Sequence, residues 1–300
     1  MATPRVTVGV PVRNGMPYLR LCLDSILAQS YEDFELLISD NASDDGSEEL
    51  CREYERKDSR VRYLRQEENL GAAGNFNVLV QEARGELFKW SAADDELAPE
   101  LLQDCVSALD AAGDAAVLAH TQTRWIDIEG ALIEDYGAGL PFDDRTPHTR
   151  LRTLLRDPVR SHLFKCSAIC GVVRRSVLQD TGLIRAFGAS DKVCLVELAL
   201  RGGWVEVCEP HFRRRVHEQS SLNANGDPAE LARWFDPKAG EQYPAPRTTL
   251  FKGYLEAWRS APLGLWQRLR CLGPILGLLC REWRVLAGEY KIRAKQRLSR

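Results

Sequence analysis

The first hundred residues repeat one texture. A short apolar run stops at a polar, glycine-bearing loop, and a stretch with helical spacing follows. Val6 to Val12 is β-branched and ends in Pro-Val-Arg-Asn-Gly, after which Leu19, Leu23, Ile26 and Leu27 recur at helical intervals. Phe34 to Ser39 is a second apolar run. It stops at Asp-Asn-Ala-Ser-Asp-Asp-Gly, and a polar helix from Ser47 to Arg56 follows, with Ser47 placed to cap it. Val61 to Leu64 predicts a third strand, then a loop from Asn69 to Gly74 and a helix to about Ala83. Leu87 to Ser91 predicts a fourth, ending at Asp94-Asp95. Strands alternating with helices at this spacing predict right-handed βαβ units, a mainly parallel sheet and an α/β, Rossmann-like fold. Ligands of such sheets bind at the carboxyl ends of the strands, the edge on which all of these loops lie.

Further on, the pattern predicts a helix over Leu101 to Ala112, strands around Val117 to Ile126 and Cys170 to Val173, and a helix from about Asp191 to Leu200. After Ser221 the texture changes to a linker punctuated by Asp227-Pro228, Asp236-Pro237, Pro244 and Pro246. Helical sequence rich in Trp, Leu and Arg comes next. The expected division is therefore residues 1–222 as a catalytic domain and residues 223–300 as linker and helical extension.

At 300 residues, 44% hydrophobic and 28% charged, with a mean hydropathy of −0.30, the chain has the profile of a globular protein, and disordered or collagen-like classes are excluded. The net charge of −3 gives no global field for nucleic acid. The nine cysteines are scattered with no C-x-x-C spacing, which reads as reduced thiols in a cytoplasmic protein. No signal-peptide pattern opens the chain. Walker and G-x-G-x-x-G loops, a G-x-S-x-G elbow and a zinc helix are all missing from the pattern.

Four features carry candidate chemistry. Asp94 and Asp95 set two carboxylates at a strand end, where hard oxygens suit Mg²⁺ or Mn²⁺; a solvated turn capping the next helix is the plainer reading. His217 follows an apparent strand and could add an imidazole to the same metal, or be an ordinary packed histidine. Asp191 precedes an amphipathic helix and suits a helix cap as well as a general base. The loop holding Asn69, Gly71 and Gly74 could bring backbone amides to a diphosphate.

Taken in order, Val8-Gly-Val-Pro-Val-Arg-Asn-Gly, Ser39-Asp-Asn-Ala-Ser-Asp-Asp-Gly, Asn69-Leu-Gly, Ala93-Asp-Asp, Ser190-Asp191 and Arg215-Val-His217 resemble the family 2 glycosyltransferases of GT-A fold, over roughly residues 5 to 222. The resemblance implies a nucleotide-sugar part over about 1–98 and an acceptor part over about 99–222. It implies an inverting hexosyltransferase-type enzyme that moves a sugar from a nucleotide-sugar, most often UDP-linked, to an acceptor hydroxyl in polysaccharide or glycoconjugate biosynthesis. Pro11, Val12, Arg13, Asn14, Asp40 and Asn41 match nucleotide-contacting positions, with Asp40 as partner of the base. Asn69, Gly71 and Asn77 match the next segment, and Phe76 stands where many members carry arginine. The family's D-x-D falls on Ala92, Ala93 and Asp94, so Asp94 and Asp95 take the metal role with His217. Asp191 matches the general base, and Ser190 replaces a glutamate. Alternatives are a catalytically inactive GT-A scaffold and a sugar nucleotidyltransferase. A dinucleotide oxidoreductase is disfavoured.

From Pro262 to Arg300 nine basic residues stand against two acidic ones, a charge of +7 that leaves −10 for the rest. The longest uncharged run there, Cys271 to Cys280, is ten residues, too short for a hydrocarbon core of about 30 Å. Leu265, Leu269, Leu272, Leu276 and Leu279 share a helical face flanked by arginines, which predicts peripheral contact with the inner face of a membrane, or packing on the catalytic domain or on a second copy. A lipid-linked acceptor would favour the membrane reading over a plain glycan.

Overall fold

The computed structural model describes residues 3–136, 146–156, 168–218, 227–238 and 245–298. The proposed boundary at residues 222 and 223 lies outside them.

Nine strands among the described residues form one sheet in the order β3-β2-β1-β4-β8-β6-β9-β5, with β7 paired to β6. β1 (Val6–Val12), β2 (Phe34–Asp40), β3 (Val61–Arg65) and β4 (Leu87–Trp90) pair in parallel. Between β4 and β6 (Ala116–Ile126) stands the short antiparallel β8 (Val172–Arg174). β9 (Gly203–Arg215) then runs parallel to β6. Only β8, β5 (Glu96–Leu97) and β7 (Leu132–Tyr136) run against the common direction.

The continuous apolar runs of β1 and β2 are explained by cover on both faces. Every residue of β2 is buried, and the core splits into two clusters. Leu37, Phe88 and Trp90 belong to one and Val8, Ile38 and Leu101 to the other. The flanking helices are α1 (Leu19–Leu27), α2 (Ser47–Lys57), α3 (Gly71–Glu82) and α4 (Leu101–Ala112). Further along come α5 (Pro147–Arg156), α6 (Arg175–Gln179) and α7 (Ser190–Arg201). Ser47 does not cap α2. It is the first helical residue after Gly46, whose φ is 92°, and its own amide donates to Asp45 Oδ1 at 3.1 Å.

The stretch read as linker holds α8 (Pro228–Phe235), capped by the Asp227 side chain, which accepts from the Ala229 amide at 3.0 Å. Two long helices follow, α9 (Pro246–Ser260) and α10 (Leu265–Leu298). α10 grips α9 at both ends, and the signs of charge match the helix dipole. Glu289, buried, accepts from the Arg247 and Thr248 amides at 3.0 and 2.7 Å at the start of α9. Arg268 donates to the carbonyls of Trp258, Arg259 and Ala261 at its end. Tyr254, Ala257, Cys271 and Ile275 join the same core cluster as Trp90, and one face of this extension packs on α5 and α7. The leucine face is not: Leu265, Leu269, Leu276 and Leu279 are all exposed. No helix among the described residues is long and apolar enough to cross a membrane.

Candidate active site

The carboxyl ends of β1, β2 and β4 bring the predicted loops to one edge, and a link at that edge joins two segments distant in the sequence. After β4 the chain turns at Asp94-Asp95, and β9 ends beside it. His217 Nε2 and Asp94 Oδ2 are 2.9 Å apart. Arg215, almost fully buried, fixes this meeting. Its amide donates to Asp95 Oδ1 at 2.9 Å and its Nε to the Asp94 carbonyl at 3.1 Å. Its guanidinium reaches the Asp127 and Ile128 carbonyls and pairs with Glu96. It also stands 5.0 Å over the Tyr18 ring, which in turn lies 4.9 Å from the His217 ring.

Asp94 and Asp95 therefore face different ways. Asp94 is partly open and meets the imidazole, whereas Asp95 is buried. Burial, and then the neighbouring Asp94, push the Asp95 carboxyl up to about 8, against the pull of Arg214. Asp94, Asp95 and His217 do not assemble as the three-residue cluster expected from the sequence. No three His, Cys, Asp or Glu side chains among the described residues converge to hold a metal ion. The pair that does converge, a carboxylate oxygen and an imidazole nitrogen, still suits Mg²⁺ or Mn²⁺, and crowded negative charge beside it is what a cation would relieve.

Asp95 also lines a cavity of about 310 Å³, and so does Asp191 at the start of α7. Two carboxylates from distant parts of the chain thus face one chamber. Its remaining walls are largely apolar and include Phe76, Trp90 and, from α8, Trp234. Ser190, where a glutamate was expected, is fully buried, and its hydroxyl has no partner among the described residues.

The loops after β1 and β2 hold each other. Pro11 and Val12 pair with Ser39 and Asp40. Arg13 donates to the Asn41 carbonyl at 3.0 Å, and the amide of Asn14, whose φ is 52°, donates to Ser43 Oγ. Asn41 accepts from the Leu70 amide at 2.7 Å and donates to Asn69 Oδ1 at 2.8 Å, which also accepts from the Gly71 amide. Gly71 is required by its φ of 73°, and by crowding: a Cβ there would lie 2.4 Å from the Phe235 carbonyl oxygen. Its neighbour is the end of α8.

Two expected nucleotide contacts are otherwise engaged. Asp40 is fully buried and accepts from the Ser43 amide at 2.9 Å, the Tyr63 hydroxyl at 2.7 Å and Arg65. Burial opposes its ionisation, but these hydrogen bonds prevail and hold its carboxyl below the usual range. It orders its own loop and offers no free oxygen to a base. Asn77 spends its amide on Ile184, donating to that carbonyl at 2.8 Å and accepting from that amide at 3.0 Å. It ties α3 to the approach of α7.

Two cations at the site escaped the sequence reading. Lys89, fully buried, lies under the turn, donates to the Cys170 and Trp90 carbonyls and stands 5.2 Å from the Phe212 ring. Burial lowers its pKa, and Asp95 is among the groups that oppose this. A lysine inside the run Leu-Phe-Lys-Trp was a legible signal. Arg214 lines the cavity beside Asp95 with its guanidinium 5.7 Å over the Trp125 ring and no ion-pair partner among the described residues. Within Arg213-Arg214-Arg215, only the strand's alternation separates a cavity cation from a buried clamp.

The family model described as Glycosyl transferase family 2 matches residues 7–182. Putative glycosyltransferase EpsH of Bacillus subtilis is 35% identical over 165 residues, 55% of this chain and 43% of that one. Glycosyltransferase GlyA of Streptococcus pneumoniae is 37% identical over 91 residues, 30% of this chain and 13% of that one. The chain thus spans less than half the length of these curated relatives. Among solved structures, S. aureus TarS 1-349 in complex with UDP superposes with a TM-score of 0.57 at 17% identity, covering 93% of this chain and 91% of that one. The mannosyltransferase PcManGT from Pyrobaculum calidifontis in complex with GDP-Man and Mn²⁺ gives 0.54 at 20% identity, covering 99% and 81%. At these identities the likeness is one of fold.

Proposed function

We propose, from the premise that this chain belongs to glycosyl transferase family 2, that it is an inverting glycosyltransferase using a UDP-sugar, with Asp191 as base and the Asp94–His217 pair at the diphosphate. The observation that supports the reading is that Asp95 and Asp191, distant in the chain, line one chamber. An in-line displacement needs its leaving-group support and its base on opposite sides of the sugar.

In this reading the acceptor hydroxyl oxygen attacks the anomeric carbon as the bond from that carbon to the diphosphate oxygen breaks. The bonding pair leaves with the diphosphate, and the hydroxyl proton passes to an Asp191 carboxylate oxygen. Asp94 Oδ2 and His217 Nε2 are the atoms that would hold Mn²⁺ or Mg²⁺, which when bound supplies Lewis-acid stabilisation of the charge on the departing diphosphate. Arg214, in the same chamber, adds a fixed positive charge where Phe76 cannot. The product belongs to polysaccharide or glycoconjugate assembly, and the exposed leucine face of α10 suits work at a membrane surface.

Incubation with a panel of UDP-sugars and detection of the released nucleotide tests the reading. UDP release with net inversion at the anomeric carbon is expected. Release of pyrophosphate would move the assignment to nucleotidyl transfer, and UDP binding without turnover on any donor to an inactive scaffold.

A further inference from the structure

A second cavity, of about 270 Å³, lies among α5, α7, α8, α9 and α10, and shares Ala189, Lys192 and Leu231 with the catalytic chamber. Its other walls are mostly hydrocarbon, including Leu154, Leu250, Phe251 and Leu278. A sugar seated there would leave its hydroxyls unpaired against apolar walls, whereas an apolar chain loses nothing. The cation in the shared wall is Lys192, the residue after the proposed base, and an ammonium point charge suits a phosphate.

We propose that this cavity holds the chain of an amphiphilic acceptor, an isoprenyl or alkyl phosphate ester that carries the acceptor sugar, with its phosphate at Lys192. The proposal rests on the glycosyl-transfer reading and names its acceptor class. The second observation is on α10. Leu278, Glu282 and Leu286 of that helix line the cavity. On the adjoining face of the same helix Leu265, Leu269, Leu276, Leu279, Trp283 and Tyr290 are exposed, spaced so that they form one line along the axis. Arg270, Arg284 and Lys291, also exposed, flank it. An apolar line with aromatic residues and a basic border lies in the interface of an anionic bilayer. A chain leaving the cavity past α10 then enters lipid directly, while the acceptor sugar stays beside Asp191.

Farnesyl phosphate titrated into the full chain tests this, with farnesol, inorganic phosphate and dihexanoylphosphatidylglycerol as comparisons and UDP titrated in parallel. Farnesyl phosphate is expected to bind at least about tenfold more tightly than each comparison. Leu278→Trp and Leu286→Trp, which fill the cavity from two positions, should each weaken it by about tenfold or more while UDP binding and the circular dichroism spectrum stay unchanged. Lys192→Gln should bring farnesyl phosphate to the level of farnesol. Unchanged affinity in a folded filled variant overturns the cavity assignment, and equal binding of the phosphatidylglycerol overturns the acceptor assignment. Failure of UDP to bind the parent chain removes the glycosyl-transfer reading instead and leaves the farnesyl phosphate result standing for a lipid phosphate site.

Discussion

Asp94 Oδ2 and His217 Nε2 meet at 2.9 Å although 123 positions separate them in the chain. The sheet makes this contact, because β4 and β9 both run toward the same edge and Arg215 bolts their ends together. If the pair serves the departing diphosphate, His217→Gln should lower kcat with Mn²⁺ by about 10- to 100-fold, the usual cost of disturbing a metal shell. Steady-state kinetics across metal concentrations reads this, and a variant with unchanged kcat at every concentration removes His217 from the site.

Asp191 lines the same chamber as Asp95. Asp191→Asn is isosteric and cannot take a proton, so turnover should fall by about 10²- to 10⁴-fold with the UDP dissociation constant unchanged. Loss of UDP binding in step with activity would show that Asp191 shapes the pocket rather than the chemistry.

The parts of this arrangement that were legible are those written in local pattern. β1 to β4, α4 and α7 follow from apolar runs, helical spacing and loop residues, and so does the clustering of loops at one edge. Asp191 and Asp95 were found as candidates because carboxylates at a strand end and a helix start carry a local signal. Side-chain direction across long separations was not legible. Nothing near Asp40 announces that Tyr63 and Arg65 on the neighbouring strand take up its carboxylate, or near Asn77 that Ile184 takes up its amide. The linker reading failed at α8 because its prolines sit at or just beyond the helix ends, where proline is tolerated.

Arg215 is nearly inaccessible, and its guanidinium serves Glu96 and two carbonyls while its Nε serves a third. Arg215→Met should leave Glu96 with only its 4.0 Å pair to Arg213 and the Asp94, Asp127 and Ile128 carbonyls without their guanidinium donor, and lower unfolding free energy by about 3 kcal/mol, in the range for breaking a buried ion pair. Denaturant unfolding measures it. A change near zero would mean that the turn is held by backbone alone.

His120 is fully buried between strands, and burial lowers its pKa to about 4 from an ordinary value of 6.5. The unfolded chain binds a proton there below about 6.5 that the folded chain refuses until about 4, so stability falls as pH drops through that window. The full effect of this one residue is about 3 kcal/mol. His120→Leu should flatten the dependence of Tm on pH between 4 and 6.5. An unaltered slope would place the acid sensitivity elsewhere.

Binding of a nucleotide diphosphate through a cation at Asp94 and His217 is tested most directly by calorimetric titration of UDP with Mn²⁺, with EDTA, and into the Asp94→Ala variant. Binding in Mn²⁺ that weakens by about 10- to 100-fold both with EDTA and in the variant is the predicted result. Equal UDP affinity with and without metal, or in Asp94→Ala, would contradict it, and would leave Arg214 and the loop amides as the diphosphate's only support.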